Sequence, residues 1–204
     1  MSASFVAHGF MYPRARFDAL TDGIFAVAMT LLVLDLRLPE NFHPQDAAEV
    51  LRGLYDLVPN FIPYVLSFMV LGLRWVSSVQ VRTKTEAFDR SYFKWWLIYL
   101  LLITCVPFTT TVAGRFAGLA PAIWLYAGNT VLIGVVSFAL LRHTPQIEKD
   151  KFLRGRQVSL AFLIGTSLLA FAWSFVNPRQ ALLALALNVL APAASRWIEL
   201  NTKG

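Results

Sequence analysis

Six stretches of about twenty nearly uninterrupted apolar side chains constrain this 204-residue chain more than any other feature. They lie at approximately 18–38, 57–79, 95–116, 119–141, 157–177 and 179–197. A helix of that length crosses the roughly 30 Å hydrocarbon core of a bilayer. Lipid offers the backbone no hydrogen-bond partners, so a spanning segment must satisfy its own, as an α-helix does. The expected fold is therefore all-α: a polytopic membrane protein with six transmembrane helices, forming a single domain over residues 1–204. The composition agrees, with 57% apolar and only 15% charged residues, against about 45–50% and 25% in soluble domains. Asn177-Pro178-Arg179 splits the last two stretches with a tight turn, which predicts an antiparallel hairpin.

The positive charges sort by interval. The N-terminus (Arg14, Arg16), the second and fourth loops and the C-terminus (Arg196, Lys203) hold thirteen of the eighteen Lys and Arg, and the alternate intervals hold four. Arg74, inside the second span, is the last. Lys and Arg concentrate on the cytoplasmic side, so both termini and the even-numbered loops are expected there. That distribution accounts for the net charge of +6 without a nucleic-acid partner. One cysteine (Cys105) and three dispersed histidines give no disulfide framework and no metal-ligand spacing. The first apolar run reads as a retained span and not a cleaved leader, because Asp22 interrupts it and Asp35-Leu-Arg-Leu-Pro-Glu follows it.

Asp22 is the costly residue. A carboxylate within a span costs on the order of 2.5–3.5 kcal/mol on insertion scales, so it faces protein or water. It lies about 9 Å from the centre of its span toward the cytoplasm, and Arg74 in the antiparallel second span lies at the same depth, about 9 Å from its own centre. Matched depth makes Arg74 the expected ion-pair partner of Asp22. Beyond Asp22 on the first span, Val27, Leu31 and Leu34 recur at helical spacing, with Gly23 extending the stripe inward and Thr30 beside it. The Thr30 hydroxyl either faces the stripe or bonds back to the carbonyl of Ala26. Trp75, Trp95 and Trp96 read as interfacial belt aromatics, and Asp35 with Arg37 as a pair at the outer end.

Arg16-x-x-x-Leu20-Thr21-Asp22-Gly23, leading into IFAVAMTLLVLDL, resembles the R-x-x-x-F-S-D signature of the lysosomal-type potassium channel family, transmembrane protein 175, in its prokaryotic six-helix form. Tyr64 to Trp75 looks like that family's second helix, and Pro107-Phe108-x-Thr110 like the end of its third. Leu20 and Thr21 depart from Phe and Ser, Ser77 and Ser78 stand near the usual Asn and paired His, and Trp96 near a usual Asn. The resemblance implies a homotetramer whose first helices line the pore, with Val27, Leu31 and Leu34 as apolar rings and Thr30 as a selectivity hydroxyl. It implies potassium as the permeant ion, no cofactor and the plasma (inner) membrane of a prokaryote. The chain lacks the TVGYG carbonyl filter of other potassium channels: Thr111-Val112-Ala113-Gly114 is the nearest approach.

The expected function is thus passive, potassium-preferring cation conduction. A secondary transporter or proton pathway is the alternative. It would call for ionisable groups or broken helices near the midplane, and the spans hold little charge beyond Asp22, Asp35 and Arg74. No Ser-His-Asp or His/Glu constellation within the spans suggests an enzyme.

Overall fold

The computed structural model describes residues 12–82, 87–88, 90–143, 152–178, 180, 181, 184 and 187. Among the described residues seven helices run in chain order: α1 (Arg14–Leu31), α2 (Ala47–Asp56), α3 (Val58–Arg82), α4 (Arg90–Thr104), α5 (Val106–Arg115), α6 (Ala120–Arg142) and α7 (Phe152–Trp173). A short 3-10 turn, Leu32–Asp35, continues α1. The other element is a two-residue ribbon in which Tyr12–Pro13 pairs antiparallel with Ala87–Phe88, tying the start of α1 to the α3–α4 connection.

Among the described residues five segments are long and apolar enough to cross a membrane: Ala15–Asp35, Val58–Val79, Ser91–Arg115, Ala120–Arg142 and Arg156–Trp173. They match the first five expected spans to within a few residues. Most of the sixth, 179–197, lies outside the described residues. Its entry is described: Asn177 Oδ1 accepts from the Gln180 N–H at 3.2 Å and the Asn177 carbonyl from Ala181 N–H at 3.1 Å. With Pro178 following, Asn177 caps a new helical turn, as the tight-turn reading requires.

The third span is two helices end to end. The ladder survives on both sides of Cys105, with Cys105 N–H to Leu101 O at 3.2 Å and Thr109 N–H to Cys105 O at 3.0 Å. Pro107 has no N–H to contribute between them, which is why α4 and α5 separate there. α2 is short and outside the spans. Asp46 caps it by accepting from Glu49 N–H at 2.8 Å, and Glu49 reaches back to Gln45 N–H at 2.7 Å. Gly53 lets it lie on the loop before it, since a Cβ there would meet the Phe42 ring at 2.5 Å.

α6 is the centre of the bundle and packs on α4, α5 and α7. Gly134 allows close approach to α7: a Cβ would meet Ile164 at 2.7 Å. α1 packs on α3 and α4 through Phe17, Phe25, Ala28 and Leu32, which join Leu71, Trp96, Tyr99, Leu100 and Ile103 in the main core. A chain of buried hydroxyls fastens α3, α5 and α6: Ser67 Oγ lies 3.1 Å from Tyr126 OH and 2.8 Å from Thr110 Oγ1. Buried hydroxyls find partners this way because lipid provides none.

Candidate functional site: the two faces of the first helix

The helical repeat divides α1 into two faces. Phe17, Thr21, Phe25, Ala28 and Leu32 are each 1–2% exposed. On the single chain, Leu20 (48%), Val27 (56%), Leu31 (44%) and Leu34 (66%) are open, as are Gly23 and Thr30. The open face is therefore a continuous stripe of apolar side chains in which Thr30 supplies the only hydroxyl. Thr30 Oγ1 lies 3.0 Å from Ala26 O and 2.9 Å from Val27 O. The helix carbonyls take its proton, so toward the open face the hydroxyl can only accept, the polarity a passing cation needs.

The motif residues hold this helix from its inner third. Thr21 donates to Phe17 O at 2.6 Å and accepts from the Trp96 indole N–H at 3.0 Å. Trp96 is itself packed against Phe17, with ring centroids 4.5 Å apart. One residue on, the Asp22 carboxylate accepts from the Trp75 indole N–H at 2.9 Å. Two neighbouring motif side chains are thus gripped by two indoles, one from α3 and one from α4. Arg16 and Leu20 are exposed.

The expected pairing of Asp22 with Arg74 is not formed. Arg74 Nη1 instead donates to Ser137 Oγ on α6 at 3.2 Å. The depth match was sound. However, consecutive residues on a helix point about 100° apart, and it is Trp75 whose side chain faces α1 while Arg74 turns into the bundle. Two of the three belt tryptophans are likewise reassigned: Trp75 and Trp96 are hydrogen-bonded across helices, and Trp96 is buried. Trp95 stays part-exposed. At the outer end Asp35 pairs with Arg115 at 3.0 Å and not with Arg37, which reaches Glu40 at 3.6 Å. Sequence reasoning missed Arg156, assigned to a loop. It begins the fifth span, and its Nη1 donates to Ser77 O and Ser77 Oγ at 2.6 and 3.0 Å.

Residues 16–107, which carry the motif helix and both tryptophans, match the model of the family described as endosomal/lysosomal potassium channel TMEM175. Over that stretch, somewhat less than half of the chain, the sequence is similar to the TMEM175 family. It is 28% identical over 174 residues to a potassium channel of Chamaesiphon minutus, covering 79% of this chain and 84% of that protein. The crystal structure of a lysosomal potassium-selective channel TMEM175 homolog from Chamaesiphon minutus superposes with a TM-score of 0.74 at 25% identity. That match covers 89% of this chain and 96% of the solved one. The endosomal/lysosomal proton channel TMEM175 of Gallus gallus is 23% identical over 195 residues, 90% of this chain and 38% of that protein. In this chain the departures from the signature it resembles are matched to each other. Thr21 keeps the hydroxyl of the usual Ser, and Trp96 supplies it with a donor.

Proposed function

We propose that the protein is a passive, potassium-preferring cation channel in which four copies of a six-helix subunit surround one axis with α1 innermost. Val27, Leu31 and Leu34 from each copy form apolar rings, and Thr30 offers four hydroxyl oxygens between them. Apolar rings restrict flow by dewetting, so a partly dehydrated ion passes only where its lost hydration is replaced. Thr21 and Asp22, held by Trp96 and Trp75, keep the helix at a fixed distance from the axis. Both termini face the cytoplasm, and the membrane is the plasma (inner) membrane of a prokaryote. Potassium is the permeant ion, and no cofactor takes part.

The observation that carries this reading is the open apolar stripe of α1, on a helix whose other face is anchored by the motif. Its alternative, proton conduction, draws on the name of the Gallus gallus relative. Against it, the stripe from Gly23 to Leu34 contains no titratable side chain. Purified protein in potassium-loaded liposomes, diluted into sodium medium, separates the two. Electrical flux that collapses when potassium is replaced by sodium on both sides supports the reading. Flux that follows a proton gradient and ignores the alkali cation refutes it.

A further inference from the structure

Beside the motif, between α1, α3, α4, α6 and α7, lies a cavity of about 30 Å³. Its lining includes Arg156, Ser78, Tyr99 and Ser137, with Trp96 and Thr21 closing one side. Ser137 is the residue that accepts from Arg74, so the second arginine stands directly behind the cavity wall. Both arginines thus meet this cavity, Arg156 by lining it and Arg74 through Ser137.

Two arginines drawn into one bundle call for a counter-charge. Among the described residues, no carboxylate lies within 4 Å of either arginine: the ion pairs there are Arg115 with Asp35 and Arg37 with Glu40. Moreover, the Nε–H groups of Arg74 and of Arg156 are both sealed from solvent with no hydrogen-bond partner. A buried, unpaired donor on a charged group is costly, and a buried charge is retained only when paired. The two serine hydroxyls nearby do not supply that charge. Ser137 already donates to Ile133 O and Ser78 to Trp75 O, so neither brings negative charge.

We infer that this cavity is a binding site for a small monovalent inorganic anion of halide size, held by Arg156 with Arg74 behind it. About 30 Å³ admits one or two water-sized groups, which suits chloride and leaves no room for a phosphate head group with its glycerol. The anion would neutralise the arginine pair next to Trp75 and Trp96, so its occupancy would firm the grip on the motif helix. The inference does not depend on the ion that the channel conducts.

The test uses the full-length protein in detergent at constant ionic strength, with sodium chloride or sodium bromide exchanged against sodium gluconate. An anion that binds only the folded state raises Tm with concentration and then saturates; the expected shift is at least about 2 °C. Arg156→Gln should remove the halide dependence, and Arg156→Lys should retain part of it. Crystals grown in bromide should show an anomalous peak beside Arg156, a readout independent of whether either variant folds. A Tm that is equal in halide and gluconate, or that rises only when phosphatidylglycerol is added, overturns the inference. So does a bromide-grown crystal without that peak.

Discussion

The two faces of α1 are made of similar residues and have opposite fates. Phe25, Ala28 and Leu32 are sealed against α3 and α4, while Val27, Leu31 and Leu34, one to three positions away, are open on the single chain. Hydropathy does not distinguish them, because both faces suit a lipid environment. The distinguishing feature is the polar pair at the inner end: Thr21 and Asp22 are hydrogen-bonded to Trp96 and Trp75, and that fixes which way the helix is rotated. In a membrane helix such polar contacts specify orientation where hydrophobic burial gives little direction.

The largest break in this comparison comes from the sealed face. Phe25→Ala deletes a ring at 1% exposure, and should cost about 3–5 kcal/mol. Val27→Ala on the open face should cost less than about 0.5 kcal/mol. Thermal unfolding of the two variants in detergent checks this, and equal losses would erase the distinction between faces.

Next in size is the Asp22 contact. Trp75→Phe removes the indole donor and should destabilise by about 1 kcal/mol, below the usual range for a bond to a charged group because the site is partly solvated. In a double-mutant cycle Trp75→Phe and Asp22→Asn should be strongly non-additive. Asp22→Asn and Arg74→Gln should add to within about 0.5 kcal/mol. Coupling of Asp22 to Arg74 and not to Trp75 would reinstate the ion pair.

Trp96→Phe should cost about 1 kcal/mol by losing the bond to Thr21, and Thr21→Val should cost less in the Trp96→Phe background than alone, since only its bond to Phe17 O is then left to lose. The smallest stability effect belongs to Thr30→Val. Its hydroxyl bonds only within the helix, so Tm should change little. Discrimination between potassium and sodium should nonetheless fall, read as a shift in reversal potential.

The spans were legible in the sequence because their length and apolarity are set by the bilayer, and five of them recur to within a few residues. Depth was legible for the same reason: Asp22 lies level with the Arg74–Trp75 turn. Rotation was not. Arg74 was the electrostatic choice, but charge alone does not say which of two adjacent side chains points at a neighbouring helix. Trp75 and Trp96 were hidden by position, since a tryptophan near a span's end fits an interfacial belt as well as an interhelical bond. Arg156 was hidden by its charge, which placed it in a loop although α7 carries it into the bundle. The stripe of Val27, Leu31 and Leu34 was readable as a stripe. Its assignment to a pore came from the family signature.

Thiol accessibility during conduction tests the pore assignment most directly. In a Cys105→Ser background, cysteine is placed singly at Val27, Leu31 and Leu34 on the open stripe, and at Phe25 and Ala28 on the sealed face. Potassium currents in planar bilayers are then recorded with cadmium added. The account predicts cadmium block of the Val27→Cys, Leu31→Cys and Leu34→Cys channels, reversed by a chelator, and none for Phe25→Cys or Ala28→Cys. Currents through all three stripe variants that ignore cadmium would contradict it, because a pore lined by this face cannot hide a ring of thiolates from a permeating metal ion.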